Sequence, residues 1–238
     1  MSAGVSTGTS PPRRPAEAGP PLPLVAGITT GLVLAGIVVP AVVAGAAFPS
    51  PFLDDRGALP GFVAGEARAV QLSAFFLFAA SVPLAVLTAA LTGRLHGLGV
   101  RAAGPAIALA GGLLASAGLA LCAAAQWALA RTGDGAPAAL VRALADVAFV
   151  TGGPWHAVGL GLLLAGVAVS AAFTGLLPRP VWQAGVVLAV VCELSTLVLL
   201  VPGAAYLLPV GRFGGLAWLV AAAVLLPKRR PARAGGRP

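Results

Sequence analysis

A single carboxylate, Glu193, stands deep inside an apolar run, in Val-Val-Cys-Glu-Leu-Ser-Thr at 190–196. A bare charge in the middle of a bilayer costs at least ~2.5–3.5 kcal/mol, so Glu193 is expected to be protonated or paired. Arg212 is the matching cation. Glu193 lies about 12 Å below the outer end of its run, and Arg212 roughly 9 Å into the next one, at 1.5 Å per residue. The short connection makes these runs antiparallel neighbours. The spacing therefore predicts a Glu193–Arg212 pair, with Ser195 and Thr196 bonding the pair or the adjacent backbone. Such a carboxylate would relay protons or bind substrate, or it would tie the last two helices together. A proton path needs a chain of titratable groups, and no second one stands at that depth, so the tie is preferred.

The other polar residues within apolar runs are few. His156 follows Trp155 directly after Gly152-Gly153-Pro154, and the pair reads as a headgroup-level anchor. Gln71 and Gln126 fall in the outer halves of their runs, so Glu193, Arg212, His156, Gln126 and Gln71 form one candidate outward-facing polar cavity. Cys122 and Cys192 are too few and too isolated for a disulfide framework or a zinc site, and they read as small packing residues. Asp54, Asp55 and Glu66 lie in a proline-bearing loop and read as solvated, as does His96. No nucleotide loop, metal-ligand helix, nucleophile elbow or haem ligand pair occurs. No catalytic residue is assigned, and no metal or cofactor is expected.

These residues must be positioned by elements suited to lipid. Only 9% of the 238 residues are charged, 58% are hydrophobic, and the mean hydropathy is +0.96. A soluble domain of this size carries roughly a quarter charged residues. The expected fold is therefore an all-α, polytopic (multi-pass) transmembrane bundle. Its spans lie near Leu22–Ala47, Arg68–Thr92, Ala102–Ala130, Pro154–Leu177, Val181–Val201 and Tyr206–Leu226. Each reaches the ~20 residues that cross a ~30 Å hydrocarbon layer. The first is longer than a signal-peptide core and is expected to be retained, although the small residues Ala44–Ala47 mimic a cleavage site. Pro40 and Pro83 should kink their helices, with neighbours satisfying the freed carbonyls. Between the third and fourth spans, Leu140, Leu144, Val147 and Ala148 recur at helical spacing. A short amphipathic interfacial helix is expected there, broken by Gly152-Gly153-Pro154. Residues 1–21 read as a disordered tail, 22–227 as the membrane domain and 228–238 as a basic tail.

The net charge of +8 is scattered in short arginine clusters and offers no continuous basic face for a nucleic acid. With six spans, ten basic residues fall on the side of the two ends and five on the other, which predicts cytoplasmic termini in a bacterial plasma membrane.

The stretches Gly175-Leu-Leu-Pro-Arg-Pro-Val-Trp182, Glu193-Leu-Ser-Thr196, Leu208-Pro-Val-Gly-Arg-Phe213 and Trp218 resemble uncharacterised six-helix membrane proteins of actinobacterial type, grouped as a domain of unknown function. Pro180 and Val181 intervene before Trp182, where that family has a Leu-Pro-Arg-Trp turn. The resemblance covers roughly residues 147–227 and implies a fold without an activity. The residues themselves favour a non-enzymatic accessory or regulatory component. Two alternatives stand beside it: a small transporter or channel using a polar cavity around Glu193 and Arg212, and an intramembrane enzyme acting on a lipid or isoprenoid with Glu193 as general acid. The expected partners are the lipid bilayer and, laterally, a second copy or another membrane protein.

Overall fold

The structure is a computed structural model, and it describes residues 20–49, 58–133 and 135–228. Asp54, Asp55, Arg56 and Asp134 lie outside the described residues, as do all but the last two residues of the N-terminal tail and the basic tail after Lys228. Helices occupy Leu22–Ala44 (α1), Ala58–Gly65 (α2), Ala67–Gly97 (α3), Gly104–Leu129 (α4), Ala138–Val150 (α5), His156–Thr174 (α6), Arg179–Leu194 (α7) and Leu207–Leu225 (α8). A π-helical turn at Thr151–Trp155 joins α5 to α6, and 3-10 turns at Ser195–Leu199 and Pro202–Tyr206 link α7 to α8. Six of the resulting helical stretches are long and apolar enough to cross a membrane. The chain is an all-α integral membrane protein, a multi-pass bundle.

Glycine sets the centre of that bundle. On α4, Gly104, Gly111 and Gly118 recur every seven residues; on the fourth span, Gly152, Gly159 and Gly166 do the same. A Cβ on Gly111 would fall 2.6 Å from the Leu163 amide nitrogen, and one on Gly166 would fall 2.5 Å from that of Ala108. The two backbones therefore touch along a heptad seam, as small residues permit where lipid offers no hydrophobic drive between helices. Ala108 and Ala115 continue the α4 side of the seam, while Leu160 and Leu164 turn toward Gly215 of α8; all four are wholly buried.

Pro40 frees a carbonyl that a neighbouring helix satisfies, as expected. It cannot donate to the Gly36 carbonyl one turn earlier, and Ser73 Oγ of α3 donates to that carbonyl at 3.0 Å. Gly45, in the left-handed region at φ 65°, then ends α1.

The fourth span departs from expectation. Gly152-Gly153-Pro154 does not break the helix. It is absorbed as a π turn, and Ala138–Thr174 runs as one stretch of 37 residues. At 1.5 Å per residue this is about 55 Å, far beyond a ~30 Å hydrocarbon layer. The amphipathic segment is thus an extension of span four rather than a separate surface helix. Its buried face is also shifted by one position. Val141, Ala145 and Ala148 are buried, whereas Leu140 and Val147 are 47% and 50% exposed. Val141 and Ala145 pack with Leu59 and Val63 of α2, Val70 and Leu129 into a small apolar cap. The cap closes the distal end of the bundle, the end opposite to Leu22 and Leu225.

Candidate functional site

Beneath the cap lies a cavity of about 370 Å³, built from the distal halves of α1, α3, α4 and α8 with α5 and the π turn. Its walls are mainly apolar, and its polar groups are Arg212, Gln126, Ser73 and the Cys122 thiol. Among the described residues no carboxylate lines it. The deep wall is buried (Ala69, Leu77, Cys122, Gly152), and the exposed lining residues include Ile37 on α1 and Pro209 and Phe213 on α8. The mouth therefore opens on the flank of the bundle, between α1 and α8.

Arg212 enters this cavity because of where α8 starts. A Cβ on Gly153 would meet Leu208 at 3.5 Å, so the fourth span and α8 are level there. Arg212 lies four residues further on, about 6 Å deeper. Helical side chains lean toward the N-terminus of their helix, and the guanidinium runs back toward the distal end. There it donates to the backbone carbonyl of Gly152. The π turn supplies that acceptor. The His156 amide donates to the Thr151 and Gly153 carbonyls and passes over Gly152. A single carbonyl does not saturate a guanidinium, which carries five N–H donors. Gln126, one turn below the end of α4, brings a buried side-chain oxygen that has no hydrogen-bond partner. Side-chain donors and acceptors thus stand with spare capacity beside an apolar chamber.

The structure disperses the remainder of the expected cluster. Glu193 is exposed on α7, does not line the cavity and makes no ion pair with Arg212. Ser195 is buried and donates to the Cys192 carbonyl at 2.6 Å; Thr196 is exposed and donates to the Glu193 carbonyl at 2.7 Å. Both thus bond the local backbone. Gln71 is exposed and belongs to a separate groove with Phe75, Phe78, Trp127 and Arg131, where the guanidinium lies 4.9 Å from the Trp127 ring. His156 is not a headgroup anchor. It is wholly buried, with Nδ1 3.0 Å from the Ala115 carbonyl and Nε2 unpartnered. The helix continues before it instead of ending there, which keeps the ring within the α4–α6 seam. Trp155 alone reaches outward, 40% exposed, with Nε1 donating to the Leu114 carbonyl at 3.1 Å.

Cys122 and Ser73 also line the cavity, although neither stands out as a site residue in the sequence. Cys122 sits one helical turn beyond Gly118 and one heptad step beyond Ala115, on the face that meets Gly152, and only the glycine register could have placed it. No family model matches the chain, and no curated protein or solved structure matches it either.

Proposed function

We propose that this protein is a non-catalytic membrane component that receives an anionic amphiphile in the flank cavity, its head against Arg212 and its chain among the apolar walls. The observation that carries this reading is a guanidinium facing an apolar chamber with no described carboxylate beside it. A volume of about 370 Å³ lies within the ~300–1,000 Å³ range of small-molecule sites. At ~30 Å³ per water-sized group, it holds roughly a dozen such groups, the scale of a polar head and one short chain. Charge-assisted hydrogen bonds from arginine favour phosphate or carboxylate heads. Gln126 adds a group to meet a hydroxyl on the head. The flank mouth suits a ligand taken from the bilayer. The transporter and enzyme readings built on Glu193 lack this support, because that carboxylate is not among the cavity's walls.

In the proposed orientation, both termini lie on the cytoplasmic side of a bacterial plasma membrane, and the cavity faces the outer leaflet. Ten basic residues against five argue for it. A cytoplasm-active reporter fused after residue 238 should be active, and a silent reporter would reverse the orientation.

The binding reading is tested with the purified chain in maltoside detergent, using dodecyl phosphate and dodecyltrimethylammonium as probes. Dodecyl phosphate should raise the melting temperature, and the cationic probe should not. Arg212→Gln should weaken dodecyl phosphate binding at least tenfold, since hydrogen bonds to charged groups contribute ~1.5–3 kcal/mol. Equal stabilisation by both probes, or binding that survives Arg212→Gln, would remove the reading.

A further inference from the structure

Glu193 lies in a 21-residue span, Arg179–Leu199, about 21 Å from one end and about 9 Å from the other at 1.5 Å per residue. It is exposed on the bundle surface. Its carboxylate rests over α6 where that helix has no side chain; a Cβ on Gly161 would lie 2.9 Å from Oε1. No donor within the described residues reaches the carboxylate. The nearby hydroxyls are committed, Ser195 to the Cys192 carbonyl and Thr196 to the Glu193 carbonyl. Around it, Val187, Val190, Leu194 and Leu197 are 62%, 51%, 47% and 46% exposed. Only 28% of the most apolar window of this span is buried within the chain, against 61% for the fourth span.

Carboxyl groups inside membranes almost always face a protein interior and a partner, because hydrocarbon offers no hydrogen bond. Here the chain itself leaves the group uncovered. A second copy supplies what is missing. A carboxylic acid carries one donor and one acceptor, so it is complementary to itself. Copies inserted in the same orientation place Glu193 at identical depth, and a two-fold axis along the membrane normal brings like residues together. Arg212, the cation at matching depth on the next span, is turned into the cavity and bonded to Gly152, so it does not compete for this face.

We propose that the exposed α7 face that carries Val190 and is bordered by Glu193 is a homodimer interface within the membrane, where the two Glu193 carboxyl groups hydrogen-bond to each other across the two-fold axis. The interface rests on α7 alone and is independent of the ligand assigned to the cavity.

The test uses the full chain with one fluorophore, reconstituted into phosphatidylcholine–phosphatidylglycerol vesicles and counted by single-molecule photobleaching over a range of protein densities. Two-step traces should rise with density. Glu193→Gln should dimerise like the parent, because a carboxamide also donates and accepts. Glu193→Leu should associate roughly five- to thirty-fold more weakly, the effect of one or two interhelical hydrogen bonds. The leucine variant should melt no lower than the parent, which separates lost association from misfolding. Val190→Cys should form an intermolecular disulfide on oxidation, whereas Leu113→Cys, 48% exposed on α4, should not. A chain that stays monomeric at every density, as it would if a different protein covers this face, overturns the proposal. So do dimers unchanged by Glu193→Leu, or cross-linking at Leu113 in place of Val190.

Discussion

Arg212 of α8 and Gly152 of the π turn are joined by a guanidinium-to-carbonyl hydrogen bond across 60 residues of sequence. The bond fixes this arginine by backbone geometry and leaves its charge without a counter-ion among the described residues. A charge held in this way remains available to a ligand, whereas one closed by Glu193 would not be.

Arg212 and Glu193 should therefore be energetically independent. In a double-mutant cycle of Arg212→Gln and Glu193→Leu, read by thermal or denaturant unfolding in detergent, the coupling should stay within ~0.5 kcal/mol. Arg212→Gln alone should cost about 1–3 kcal/mol, because the Gly152 carbonyl loses its charged donor. A coupling above 1 kcal/mol would restore the tie between the last two helices.

Ser73 and Pro40 should be coupled instead. Ser73→Ala removes the hydroxyl that donates to the Gly36 carbonyl, for an expected loss of about 1 kcal/mol. In a Pro40→Ala background the alanine amide can take that carbonyl within α1, and the cost of losing the hydroxyl should largely vanish. Equal losses in both backgrounds would show that Ser73 contributes in some other way.

A glycine of the seam and one whose Cβ position is open should respond with opposite sign. Gly111→Ala places a methyl group 2.6 Å from the Leu163 amide nitrogen, and forced repacking should cost about 1–3 kcal/mol. Gly27→Ala in α1 meets nothing within 4 Å and should be neutral or stabilising by ~0.5–1 kcal/mol. Melting temperatures of the two variants decide the matter, and similar shifts would mean that α4 and α6 do not touch at Gly111.

The two cysteines should differ in reactivity. Cys122 lines the cavity, while Cys192 is wholly buried and outside it. A lipid-soluble maleimide should label Cys122 slowly and Cys192 hardly at all, with dodecyl phosphate slowing the reaction at Cys122. Peptide mass spectrometry of labelled protein reads both sites at once, and preferential labelling of Cys192 would contradict the cavity's position.

The number of spans and most of their limits were legible because length and hydropathy respond to the thickness of the hydrocarbon layer. The rotation of each helix about its own axis was not. A membrane helix is apolar on every side, so no hydrophobic stripe marks the face that turns inward. Gln71 and Gln126 look alike in sequence, yet one faces the outer groove beside Trp127 and the other the cavity. Glu193 and Arg212 have the depths that pairing requires, but their azimuths separate them. The seven-residue glycine spacing in α4 and α6 was the one azimuthal signal available. It would have placed Cys122 beside Gly152, and so located a wall of the cavity.

The π turn can also be regarded as a phase shifter. One extra residue in an α-helix advances everything beyond it by about 100°. Buried positions fall at Val141, Ala145 and Ala148 before the turn, and at His156, Leu160 and Leu163 after it. That offset of one position matches the extra residue, so a single buried side of the rod runs from the cap at its tip, where it meets α2 and Leu129, to α4 along its shaft. The roof of the cavity is therefore aimed by arithmetic in the span beneath it, and a one-residue deletion at Gly152-Gly153 would swing the roof while leaving composition and hydropathy almost unchanged.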